Sequence, residues 1–253
     1  MALRRRLLDE RRGEVLAALP GSEAACREVL VQLAGFLPQR FPERFERDGD
    51  VLTNRATGER WDLEAPDLEP LDIAGRLVQE DFCILQMIDG ELCLTAAVMC
   101  FINRWRLADK LGRPTAAIHG PVALYAERLE KPVDRFLSAL APDRPVWRLN
   151  WGLTADAARF QPVELLPDPP VTAEDAGQRV YLRVERQTVR RLPQTGAVLF
   201  GIRTYQRPLG ILPAADAARL AAAIRALPEP MARYKGLLPM QGAVLGWLDR
   251  VAT

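Results

Sequence analysis

Asp81-Phe82-Cys83-Ile84-Leu85-Gln86-Met87 and the run from Glu91 to Phe101, joined across Asp89-Gly90, decide the class of fold. Asp-Gly suits a tight two-residue hairpin turn, because both central residues need positive φ. The apolar runs on either side therefore read as antiparallel neighbours. Toward the C-terminus, Trp147, Leu149 and Trp151 alternate with Arg148 and Asn150, the period-2 pattern of a half-buried strand. Val180, Leu182 and Val184 alternate with Tyr181, Arg183 and Glu185 in another, which ends near Leu192-Pro193-Gln194-Thr195-Gly196. Ala197 to Tyr205 returns as its antiparallel partner. Between these pairs a helix is expected from Pro121 to Leu140, opened by Gly120-Pro121.

The flanks are helical. Ala2 to Leu19 carries an apolar stripe of Leu3, Leu7, Leu8, Val15 and Leu16, and Pro20-Gly21-Ser22 stops it. Ser22 is the expected N-cap of a second helix reaching about Leu37, with Pro38 and Pro42 breaking helical order. Val51-Leu52-Thr53 and Arg60-Trp61-Asp62-Leu63 suggest a short hairpin, and a helical or irregular stretch runs to about Val78. Pro213 to Leu227 and Pro239 to Val251 are the last two expected helices. Hairpins packed on helices, without alternating βαβ units, argue α+β and against a Rossmann sheet. The expected division of one domain over 1–253 is N-terminal helices over 1–45, a core over 46–210 and C-terminal helices over 211–253.

Composition narrows the function. Over 253 residues, 49% hydrophobic and 26% charged are ordinary globular values, which argues against global disorder. A formal net charge of +1 gives no whole-molecule reason to expect nucleic acid. No apolar run is long enough to cross a bilayer, and the basic start Arg4-Arg5-Arg6 leads into a charged helix rather than a signal-peptide core. Cys26, Cys83, Cys93 and Cys100 form no CxxC pair and sit among apolar neighbours, so buried reduced thiols are expected. Together these features point to the cytoplasm. Neither GxGxxG nor a Walker loop is present, so the two commonest nucleotide fingerprints lend no support.

The single histidine is the most restrictive count. It excludes HExxH zinc hydrolases, two-His-one-carboxylate iron sites and every multi-histidine centre. Ala117-Ile118-His119-Gly120-Pro121 sets this imidazole at the mouth of the expected helix, whose positive end favours the neutral ring. A neutral imidazole can ligate a metal, heme iron included. The same position also suits a histidine that merely accepts a local backbone N–H.

A second constellation joins Arg183-Val184-Glu185-Arg186-Gln187-Thr188 to Arg203-Thr204-Tyr205 on the returning strand. Alternation puts Arg183, Glu185 and Gln187 on one face of their strand and Arg203 with Tyr205 on one face of theirs. Register decides whether the two faces coincide. Such residues could clamp a carboxylate, bind an amine or relay a proton, or form a wet cross-strand ladder of charges. Trp105, Trp147 and Trp151 could line a flat pocket, although strand aromatics are usually core.

These stretches carry a resemblance. Gln79 to Gln86, Trp105 to Pro114, Ile118-His119-Gly120-Pro121-Val122, Pro145 to Trp151, Arg183 to Thr188, Arg191-Leu192-Pro193, Thr195-Gly196-Ala197 and Ile202 to Tyr205 follow in order. Together they resemble the heme-dependent oxidative N-demethylase family over most of the chain. The resemblance implies a PAS-like heme-binding core, an antiparallel sheet with flanking N- and C-terminal helices. It implies O₂-dependent oxidation of a small secondary amine to a primary amine and formaldehyde. Electrons would come from NADPH through external flavin and iron–sulfur reductase subunits.

Carried over by motif, His119 is the candidate axial ligand of heme b iron. Arg148, Arg183 and Arg203 are candidate propionate or pocket partners, and Glu185 and Tyr205 are candidate catalytic groups near substrate. Two positions depart from the family pattern: Ile102-Asn103 stands where Pro-Ser is expected, and Ala123-Leu124 where Pro-Gly is expected. Family members also tend to carry a segment upstream of the first helix. The alternatives are a non-catalytic heme or small-molecule sensor or carrier on the same scaffold, and a scaffold without cofactor.

Overall fold

Helix α1 (Ala2–Glu10) turns Leu7 and Leu8 into the core together with Arg4, whose side chain is 1% exposed. The structure, a computed structural model, describes residues 1–64, 67–120, 130–163 and 170–253. A single turn, α2 (Arg12–Val15), follows, and the chain then becomes extended as β1 (Leu16–Ala18). The helix expected to reach Leu19 stops short because Leu16, Ala17 and Ala18 pair with Val98, Ala97 and Ala96. A sheet ladder replaces what would have been the last helical turn.

Helix α3 (Glu23–Arg40) buries Cys26, Val29, Leu30, Ala34 and Leu37. Ser22 stands at its N-cap position, but its hydroxyl donates to Leu19 O instead of capping. Pro38 does not end the helix. In the last turn a missing N–H forfeits one backbone bond, and the helix runs on to Arg40. Strands β2 (Phe45–Asp48), β3 (Val51–Asn54) and β4 (Glu59–Asp62) form a small antiparallel sheet, one strand more than the expected hairpin. Phe45, Leu52 and Trp61 bury one face of it with residues of α3 and of α4 (Pro70–Leu77). Helix α4 lies close to the main sheet at Gly75, where a Cβ would stand 2.7 Å from Val98 Cγ2.

The main sheet is built on the quoted hairpin. β5 (Asp81–Ile88) and β6 (Glu91–Val98) meet at Asp89 and Gly90, with φ of 50° and 85° as the Asp-Gly reading requires. Helix α5 (Thr115–His119) follows β6. Of the helix expected over Pro121–Leu140, residues 121–129 lie outside the described residues, and the remainder is α6 (Glu130–Ser138). Arg191 ties α6 to the sheet by donating to Leu137 O and Leu140 O, each at 2.8 Å. Then come β7 (Val146–Thr154), the one-turn α7 (Ala176–Arg179), β8 (Tyr181–Arg191) and β9 (Val198–Pro208). The six strands lie in the order β1-β6-β5-β9-β8-β7, with antiparallel neighbours throughout.

Each face of this sheet has its own core. Phe82, Ile84, Ala96 and Val98 pack with Leu7, Leu8, Val29 and Leu71 on one side. Cys83, Leu85, Ala97 and Val198 pack on the other with Leu107, Leu137 and Leu140. A third core gathers Leu153, Val180 and Leu209 with α8 (Ala214–Arg225), α9 (Glu229–Tyr234) and α10 (Gln241–Ala252). The two expected C-terminal helices are present, and α9 is an additional short helix between them. The fold class is α+β, as the hairpin pattern implied.

Candidate functional site

Register settles which strand residues meet. In an antiparallel pair, directly opposed residues share a face. Arg148 opposes Gln187, Asn150 opposes Glu185, and Gly152 opposes Arg183. Across the next pair, Gln187 opposes Ile202, Glu185 opposes Thr204 and Arg183 opposes Gln206. Arg148, Asn150, Arg183, Glu185 and Gln187 therefore share the inner face with Val146, Val189, Phe200 and Ile202, which pack on the α6 side. Arg203 opposes Arg186, and Tyr205 opposes Val184, so these two point from the other, outer face. The structure thus brings Arg148, Arg183 and Glu185 together and sets Arg203 and Tyr205 apart from them.

The inner-face residues form a continuous hydrogen-bonded ladder. Arg148 Nε donates to Gln187 Oε1 at 2.8 Å, Gln187 Nε2 to Glu185 Oε2 at 3.1 Å, and Arg183 Nε to Glu185 Oε1 at 3.2 Å. Asn150 Nδ2 approaches Glu185 Oε2 at 3.5 Å. Arg183 is buried, and its remaining donors go to Phe101 O, to Arg159 O at 3.2 Å and to Thr204 Oγ1 at 3.4 Å. A guanidinium engaged on all sides by the protein holds Glu185 in place and has little left for an added ligand. Arg148, at the exposed edge of the ladder, has that freedom.

His119 ends α5, one turn after Thr115. Its Nδ1 lies 2.8 Å from Thr115 O. A carbonyl can only accept, so Nδ1 carries the proton and the lone pair falls to Nε2. Burial pushes the imidazole pKa below its ordinary value; the Thr115 bond opposes this, while the Lys110 and Arg148 cations add to it. The neutral ring expected from sequence is favoured, with burial as the largest cause. The expected cause, the positive end of a helix after Gly120, falls on residues 121–129 and so lies outside the described residues; within them the ring stands at the C-terminal end of α5, where a dipole would favour imidazolium. Desolvation outweighs that pull.

Two lysines complete the surroundings. Lys110 Nζ sits 4.1 Å from the centre of the Trp105 ring, and burial lowers its pKa. Lys235 Nζ donates to Trp151 O at 2.5 Å and to Asn150 Oδ1 at 3.3 Å, with the Trp151 ring centre 5.0 Å away. Burial lowers the Lys235 pKa as well; Glu185 opposes this, and Arg104 and Arg148 reinforce it. Residue-type reasoning missed both lysines, yet a signal was there. The chain has only three lysines, Lys110, Lys131 and Lys235, among 34 cations, and one of them acts electrostatically on His119 and another feels Glu185.

The aromatic expectations divide. Trp105 packs against the inner core, Trp151 is half-buried beside Lys235, and Trp147 is neither core nor pocket wall, being exposed on the outer face. All four cysteines are buried and free, and burial pushes the Cys83 and Cys100 thiols up to about 12 and Cys26 to about 11. They remain protonated and serve as core residues. Among the described residues, no group of three or more His, Cys, Asp or Glu side chains could hold a metal ion, and no helix is long and apolar enough to cross a membrane. An open cavity of about 390 Å³ beside Met87, Leu137 and Arg191 contains none of the expected site residues.

The family model described as "Haem-dependent oxidative N-demethylase, alpha subunit-like" matches residues 1–245.

Proposed function

The chain belongs to the heme-dependent oxidative N-demethylase alpha-subunit-like family, and from that membership we propose that it is a heme b monooxygenase acting on a small secondary N-methylamine. The observation that carries the reading is His119. Its Nδ1 proton is committed to Thr115 O, and burial favours the uncharged ring, which is how a histidine is prepared to ligate through Nε2. The donor set fits the group: one imidazole, an apolar inner face of Val146, Val189, Phe200 and Ile202, and cations for two propionates. Lys110 and Arg148 act electrostatically on His119, and Arg148 and Arg104 on Lys235, so cations are at hand. The strand order β6-β5-β9-β8-β7, second-first-fifth-fourth-third in sequence, supports the PAS-like reading of the core.

Bound at His119, heme would supply the activation of dioxygen. Overall, one O₂, two electrons and two protons convert the N-methylamine into primary amine, formaldehyde and water. The electrons come from NADPH through partner flavin and iron–sulfur subunits, in keeping with an alpha-subunit-like chain. Glu185 pairs with the ammonium form of the substrate and accepts its proton, since a cation leaving water needs a carboxylate partner. Arg183 fixes the Glu185 carboxylate, and Gln187 and Asn150 steady its second oxygen. Arg203 and Tyr205, on the outer face, are given no part in this pocket.

The test is spectroscopic first and chemical second. Heme titrated into the protein is expected to give a Soret band that His119→Ala abolishes or shifts. The loaded protein, reduced under O₂ with candidate secondary amines, is expected to release formaldehyde. An unchanged Soret band in the variant removes His119 as ligand. Bound heme with no formaldehyde from any amine points instead to a sensor or carrier.

A further inference from the structure

We propose that the outer face of β7, β8 and β9 docks an acidic protein, the electron donor that the proposed function requires. This rests on that reading for the donor's role, and on the surface itself for its chemistry. β7 is the terminal strand of the sheet, and its outer face leaves Trp147 67% and Leu149 61% exposed. On β9, Tyr205 is 46% exposed. Trp147 and Leu149 stand next to each other along one face of β7, with Tyr205 on the same face two strands away, and exposed apolar side chains this large mark an interaction site rather than ordinary surface. The cations of the face lie among them. Arg186 opposes Leu149 across β7 and β8 and Arg203 across β8 and β9, while Arg207 follows Tyr205 on the same face.

Among the described residues, acidic compensation is slight. Arg186 and Arg203 share one carboxylate, Glu80, at 3.5 Å each, and Arg207 forms no ion pair among the described residues. The Arg203 guanidinium lies 5.4 Å from the centre of the Tyr205 ring. Trp, Tyr and Arg are the residues on which interface energy concentrates. A second copy of this chain is the poorer occupant, because a twofold contact would set these arginines against one another. An acidic partner neutralises them.

The location also suits electron delivery. Trp147 and Leu149 alternate along β7 with Arg148 and Asn150, which face the inner side. Only the thickness of one sheet separates the docking face from the Arg148–Gln187–Glu185 ladder.

The probe is an acidic plant-type two-iron ferredoxin, titrated calorimetrically onto the full chain with and without heme. Binding at low salt is expected to weaken about tenfold as sodium chloride is raised to about 0.3 M. Arg186→Glu is expected to weaken it about tenfold, and Trp147→Ser several-fold. Neither substitution should change circular dichroism, the thermal midpoint or the Soret band. Binding that is absent, or indifferent to salt and to Arg186→Glu, overturns the proposal. So does a concentration-dependent dimer that Trp147→Ser abolishes, which would assign the face to a second copy. Ferredoxin that binds but leaves bound heme oxidised removes the donor role. A chain that takes up no heme sinks the proposed function, while ferredoxin binding still reads out the docking face.

Discussion

Arg183 Nε donates to Glu185 Oε1 at 3.2 Å, and the same guanidinium reaches back to Phe101 O, 82 residues earlier in the chain. The Phe101 backbone is held from its other side, because its N–H donates to Asp81 at 2.8 Å, and so does that of Cys100. Arg4 pairs with the same carboxylate at 2.6 Å, with side-chain exposures of 1% and 0%. A carboxylate facing the proposed pocket is thus tied, through Arg183, Phe101 and Asp81, to the first turn of the chain.

Removing Arg183 strands Glu185. Arg183→Ala is expected to cost about 3 kcal/mol in urea unfolding, the scale for taking one partner from a largely buried pair. Glu185→Gln should fold and bind heme normally while formaldehyde release is lost, which separates a role toward substrate from one in stability. Equal losses of stability in both variants would make Glu185 a structural residue.

The Arg4–Asp81 pair gives a second test. Arg4→Ala leaves a carboxylate with two backbone donors but no counter-charge in the interior, and about 3 kcal/mol of stability should go with it. Arg5→Ala, whose side chain is 44% exposed against Glu59, should stay within about 1 kcal/mol of wild type. Similar losses would mean that burial of the pair is not what matters.

His119 sets a pH dependence in the heme-free protein. Its folded-state pKa lies below the ordinary 6.5, so near that pH the unfolded chain binds the extra proton. The stability contribution is complete above 6.5 and lost as pH falls toward the folded value. Urea midpoints measured downward from neutral pH should fall more steeply for wild type than for His119→Gln. Parallel slopes would show that burial does not perturb the ring.

Close packing at two glycines gives a fourth. A Cβ at Gly75 would stand 2.7 Å from Val98 Cγ2, and one at Gly177 would stand 2.6 Å from the Trp247 ring. Gly75→Ala should destabilise by about 1–3 kcal/mol, with part recovered in Gly75→Ala/Val98→Ala. The Gly177 substitution should lower the thermal midpoint and lack such a remedy, since a ring yields less than a methyl group.

The sequence spoke most clearly where one local rule acted alone. Asp89-Gly90 dictated the hairpin, and alternation gave each residue of β8 its face. It was mute where a distant partner decided the outcome. Leu16–Ala18 is helix or strand according to whether Ala96–Val98 lies beside it. The grouping of Glu185 with Arg148 rather than Tyr205 depends on a register that no spacing within either strand records. His119 stood out as a candidate because it is unique, and the same scarcity would have singled out Lys110 and Lys235.

That scarcity has a practical use. Two of three lysines border the proposed pocket, and burial makes each easier to deprotonate at neutral pH. Acylating reagents followed by peptide mass mapping would then footprint occupancy directly: a porphyrin seated against Lys110 or Lys235 shields that amine from labelling.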